Sequence, residues 1–295
     1  MYNSKDFTWG FELELSDVPK DFPVNPALGK WESAECDILN TLPPYRGICA
    51  DPLGIDPPVG GEINVNPTKT KEEQVSRIMR IVSDIKIEGY TPNISPTAHS
   101  HIHVFVPGLK DDPEGLKRLM GYIKDNQHAM IDAVYGFYEH PEMKNCPKAK
   151  TYLKLDGGRT MPDWQIDNII KNTTDFDSFI LQHQTGKDAV SRGRPIRYGI
   201  NTYCMKQVGT IEFRCFRGTL HAQQLMHSFD FVNRFMEEAL CNPEPVSVRD
   251  ILNERQWNFP KMQWDLELMQ GWVKTKKDPE KIKGLKKNRE LLDAS

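Results

Sequence analysis

The chain has no Cys-x-x-Cys pair. Its six cysteines, Cys36, Cys49, Cys146, Cys204, Cys215 and Cys241, are scattered. That spacing argues against a structural zinc site or a disulfide framework and for a reducing compartment. No apolar run reaches the roughly 20 residues of a membrane span, and Met1–Thr8 holds no apolar core of signal-peptide length. A cytoplasmic location is the expectation. A surplus of one charge is also missing: the net charge is −3 over 295 residues, which gives no reason to expect nonspecific nucleic-acid binding. There is no Walker loop, because Gly186-Lys187 is followed by Asp188 and Leu181 stands where the first glycine should be. The 38% hydrophobic content is enough for one large domain or two small ones with a real core.

Lysine is absent from four short segments that alternate apolar and polar residues with the period of a β-strand. Gly10–Leu15 puts Glu12 and Glu14 on one face and Phe11, Leu13 and Leu15 on the other. Gly61–Pro67 puts Glu62, Asn64 and Asn66 opposite Ile63 and Val65. His99–Val106 puts His99, His101 and His103 opposite Ile102, Val104 and Val106. Gly209–Leu220 puts Thr210, Glu212 and Arg214 opposite Ile211, Phe213 and Cys215, with Arg217 just beyond. Successive strand side chains point to opposite faces, so each polar set is coherent. A half-wet antiparallel sheet gives the same alternation strand by strand. Acids on two strands, imidazoles on a third and Glu with Arg on a fourth point further, to a cation site.

The organisation is α+β. A Pro-rich stretch from about Asp17 to Gly60 reads as an ordered covering loop. A helix capped by Thr68 carries the apolar stripe Val75, Ile78, Met79, Val82 and Ile85 and stops at Gly89. A second starts at Asp112-Pro113. The middle, about His140 to Arg197, is looser, with a short helix around Trp164 to Lys171 and a Gly-rich basic run from Gly186 to Arg197 suited to anions. Tyr198–Tyr203 reads as a short strand leading by a hairpin into the segment at Gly209. His221–Leu240 is a strong amphipathic helix, and Ser247 caps a short one. The expected division is a main domain over 1–243, the catalytic one if the chain is an enzyme, and a helical C-terminal extension over 244–295, ending in a Lys-rich tail.

Carboxylates with one imidazole and waters suit Mg²⁺ or Mn²⁺, which prefer oxygen ligands. Guanidinium groups beside such a cation neutralise phosphate oxygens, the usual equipment for phosphoryl transfer. A competing assignment places Zn²⁺ or Fe²⁺ on His101 and His103 with a Glu, as in a metal-dependent hydrolase or oxygenase. A non-catalytic binding protein with a merely wet acidic face is the third.

Gly10-Phe-Glu-Leu-Glu, Gly61-Glu-Ile-Asn-Val-Asn-Pro, His101-Ile-His-Val, Arg197-Tyr-Gly-Ile-Asn, Gly209-Thr-Ile-Glu-Phe-Arg and Gly218-Thr-Leu occur in this order. From about Phe7 to Leu240 the chain resembles the amidoligases of the carboxylate–amine ligase group. These are related to glutamate–cysteine ligase and glutamine synthetase and are common in bacterial and phage genomes. The Asp-Gly-Ser element of many relatives is absent here. The resemblance implies a curved antiparallel sheet, a partial barrel or funnel, with helices behind it. It implies an ATP- and Mg²⁺-dependent ligase joining a small-molecule or peptide carboxylate to an amine through an acyl phosphate. It also implies roles: Glu12, Glu14, Glu62, Glu212 and His103 for the metal, and Glu212, Arg214 and Arg217 for catalysis. Arg197, Arg214, Arg217, Lys187 and His101 would hold the nucleotide.

Overall fold

The computed structural model describes residues 2–16, 18, 22–32, 60–92, 99–136, 158–184 and 197–260. Strand β1 (Thr8–Ser16) is followed by β2 (Gly29–Glu32), β3 (Gly60–Thr68), helix α1 (Lys71–Ile87), β4 (His99–Phe105) and α2 (Pro113–Val134). Then come α3 (Asp163–Asn172), α4 (Phe176–His183), β5 (Ile200–Asn201), the single turn α5 (Cys204–Gln207), β6 (Ile211–Arg217), α6 (Ala222–Leu240) and α7 (Val248–Glu254). The strands form one antiparallel sheet in the order β2-β3-β1-β4-β6-β5. The sheet is open, because β2 and β5 are its two ends. Among the described residues no helix is long and apolar enough to cross a membrane.

Alternation sorts the two faces. Phe11, Leu13, Ile63, Ile102, Val104 and Phe213 are buried on one side. Helices α1, α2 and α6 pack there. Phe229 of α6 meets Phe11 at 5.7 Å and Trp9 at 5.9 Å between ring centres, and Phe235 meets Phe213 at 5.6 Å. The helices themselves bury stripes at the 3.6-residue period, Leu116, Leu119, Met120, Ile123, Met130 and Val134 on α2 and Leu225, Phe229, Val232, Phe235 and Met236 on α6. Helix α7 continues this core: Val248 and Ile251 are fully buried, and Val248 N donates to Asn126 Oδ1 at 2.7 Å.

Several local expectations change in detail. Thr70, not Thr68, caps α1, its hydroxyl accepting from Glu73 N at 3.1 Å. Thr68 is still paired with Trp9 as the last residue of β3, so the helix cannot yet begin. In the stripe of α1, Ile81 is buried and Met79 only half-buried. Gly89 ends the helix with φ 87°, as a left-handed cap requires. The stretch read as a covering loop contains edge strand β2, too short to show a period. The expected strand at Tyr198–Tyr203 shrinks to two residues, and the α5 turn fills the link to β6. Helix α4, unforeseen in the looser middle, starts with a capping box between Asp175 and Ser178.

Candidate functional site

The other face of the sheet carries the charge. Cross-strand pairing sets Glu12 beside His101 and Asn64, Glu14 beside Glu62, and His103 beside Glu212, which in turn lies beside Asn201. His101, His103 and Glu212 are buried, while Glu12, Glu14 and Glu62 are partly open.

Glu12 is the hub. Its Oε2 lies 2.5 Å from His101 Nδ1, and its Oε1 lies 2.9 Å from His103 Nε2. The His103 approach is an ion pair rather than an aligned hydrogen bond. His101 also faces Glu14 through Nε2 and Glu212 through Nδ1, each at 3.6 Å. Glu212 pairs with Arg214 through Oε1 and accepts from Asn201 Nδ2 at 2.6 Å through Oε2. Behind His103, Thr210 Oγ1 lies 2.8 Å from Nδ1, and Cys204 Sγ lies 3.9 Å from the same nitrogen.

The acids and bases shift one another. Burial raises the Glu12 carboxyl, but the His101 and His103 contacts outweigh it and hold the group well below the usual carboxylate range. Burial, then the Glu12 charge, pushes Glu62 up to about 7. Burial works against the His103 cation, yet its contacts with Cys204 and Glu12 push it up to about 10. Glu212, which burial alone would raise, is held low by Arg214 and the two imidazoles.

Two overlapping groups have the geometry of cation ligands: Glu12, Glu62 and His101, and Glu12, His103 and Glu212. Within each, the ligand atoms lie within 4.8 Å of one another. Carboxylate oxygens with one imidazole fit a hard divalent cation such as Mg²⁺ or Mn²⁺.

Of the residues singled out by sequence, Glu12, Glu14, Glu62, His101, His103, Glu212 and Arg214 converge on this face. Arg217 joins it through an irregularity in β6: pairing shifts between Ser100 and Ile102, and Arg217 comes opposite His99. An extra residue in a strand turns the side chains after it to the opposite face. Without it Arg217 would point with Phe213 and Cys215. Arg197 is exposed ahead of β5, and Lys187 lies outside the described residues. Asn201, the last residue of the Arg197-Tyr-Gly-Ile-Asn motif but given no role by it, and Cys204, which shows no sequence signal, adjoin the site; each sits in an element too short for periodicity.

The chain matches no family model, no curated protein and no solved structure.

Proposed function

We propose that the chain is an ATP- and Mg²⁺- or Mn²⁺-dependent carboxylate–amine ligase of the amidoligase kind, and that the charged sheet face is its active site. The observation that carries this is the Glu12–His103–Glu212 group directly beside the Glu212–Arg214 pair. Cation ligands and a guanidinium next to one another are what phosphoryl transfer requires. The motif order seen in the sequence supports the same assignment, as does the α+β architecture with an open antiparallel sheet.

In this assignment Glu12, Glu212 and His103 hold one cation, His103 contributing Nε2 once it has lost its proton, and Glu62 belongs with Glu12 and His101 to the second ligand group; Glu14, expected as a ligand from the sequence, falls in neither group. When bound, the cation supplies charge neutralisation at phosphate oxygens. Arg214, oriented by Glu212, donates to a phosphate, and Arg217 extends that donor row along β6. His101 braces the Glu12 carboxylate. The product is an amide, with ADP and phosphate released. A curved, glutamine synthetase-like sheet and a 1–243 catalytic domain belong to this proposal.

A Zn²⁺- or Fe²⁺-dependent hydrolase or oxygenase is the second assignment, favoured by the two imidazoles on Glu12. The two differ in a thermal-shift measurement. The ligase predicts stabilisation by a non-hydrolysable ATP analogue only with Mg²⁺ or Mn²⁺, followed by amine-dependent ADP release in a screen of carboxylates and amines. No response to nucleotide with either cation would sink it, and a Zn²⁺ response without nucleotide would favour the hydrolase.

A further inference from the structure

Strand β4 alternates between core and site, and its last residue breaks the chemistry of its own face. His101 and His103 point to the site, and by the same parity Phe105 points there as well. The residues of β4 from Ser100 to Val104 are at most 7% exposed, whereas Phe105 is 41% exposed. A large bare ring thus stands one step along the strand from His103, about 7 Å by strand geometry. Its cross-strand neighbour on β1 is Thr8, which accepts from Lys69 Nζ at 3.2 Å. On the other side the chain turns at Gly209, φ 87°. A Cβ there would lie 3.9 Å from both the Phe105 ring and Lys110 Nζ. The preceding residue, Val208, is 64% exposed. The result is a partly exposed aromatic ring on the site face, with the exposed Val208 nearby and the ammonium groups of Lys69, on Thr8, and Lys110, over the Phe176 ring at 4.9 Å, in its surroundings.

We propose that Phe105, with Val208 beside it, is the stacking platform for the heterocyclic base of the nucleotide whose phosphates lie on the Glu212–Arg214 side. This rests on the ligase assignment and adds to it the part of the site that distinguishes a nucleotide from bare polyphosphate. A flat π-surface next to a phosphate site suits a base, because stacking tolerates any ring face and needs no hydrogen-bond code. The imidazoles and Arg214 on this face are engaged with Glu12 and Glu212, whereas Phe105 is the large exposed aromatic ring of the face among the described residues.

The test compares two probes on the full chain by calorimetry with Mg²⁺: a non-hydrolysable ATP analogue and inorganic tripolyphosphate. Phe105→Ala should weaken the ATP analogue on the order of 10-fold or more, the usual loss for one stacked base, and leave tripolyphosphate unchanged. Phe105→Tyr should bind both as the parent does. Equal binding of the ATP analogue by parent and Phe105→Ala would overturn the platform while the ligase assignment stands. Equal weakening of both probes would also overturn it, by showing the ring to be a support for the site. If the parent chain binds neither probe, the ligase assignment fails and the platform with it.

Discussion

Asn201 Nδ2 donates to Glu212 Oε2 at 2.6 Å across the β5–β6 pair, and both residues are buried. The other Glu212 oxygen is taken by Arg214. The carboxylate is therefore gripped from two sides, by a neutral donor and by a charge.

Removing the neutral donor should loosen that grip without abolishing it. Asn201→Ala is expected to cost about 1–3 kcal/mol in urea unfolding, because a buried acceptor loses its partner. Mn²⁺ affinity should fall on the order of 10-fold, the scale seen when the support of a ligand is removed. Unchanged Mn²⁺ titration in a destabilised variant would place Asn201 outside the site.

Removing the charge should do more. Arg214→Ala leaves Glu212 buried without its charged partner, and a loss of about 3–5 kcal/mol is expected. Glu212→Gln keeps the shape but deletes a cation ligand. Both variants should lose amine-dependent ADP release. Turnover equal to the parent in either one would move the chemistry elsewhere.

His183 gives a pH test away from the site. Its Nδ1–H donates to the Phe179 carbonyl at 2.8 Å, and Nε2 accepts from the Thr202 hydroxyl at 2.7 Å, so the neutral ring is satisfied at both nitrogens. Burial pushes its pKa down from 6.5 to about 4. The unfolded chain therefore takes up a proton at a pH where the folded chain does not. Stability from this group is complete above pH 6.5 and is lost as pH falls toward 4, by about 3 kcal/mol in total. Urea midpoints at pH 7.5, 5.5 and 4.5 should drop more steeply for the parent than for His183→Gln. Parallel pH profiles would show that the folded ring is protonated after all.

The clamp between α6 and β1 can be read through Phe229. It is fully buried and touches both Trp9 and Phe11. Phe229→Ala should cost about 3–5 kcal/mol in urea unfolding. Phe229→Leu, closer in volume, should cost about 1–1.5 kcal/mol. Equal costs would mean that the pocket collapses around the smaller side chain.

Much of this was legible in one dimension because a strand's side chains alternate strictly. Glu12 and Glu14 could be assigned to one face, and Phe11 and Leu13 to the other, from Gly10–Leu15 alone. The same holds for the helical stripes of α2 and α6. Short elements defeat that logic. Strand β2, the two-residue β5 with Asn201, and the α5 turn with Cys204 are shorter than any period, so partners elsewhere in the fold create them.

The amino-acid sequence by itself determined which side chains share a face, since alternation and helical periodicity are local and follow from backbone geometry. Only the tertiary structure decided which faces meet. The register of β1 between β3 and β4 sets His101 and His103 on Glu12, and the register of β4 against β6 adds Glu212 and Arg214. The irregularity in β6 then turns Arg217 toward them. Register depends on hydrogen bonds between segments far apart in the chain, and a slip of one residue would reverse every side chain of a strand.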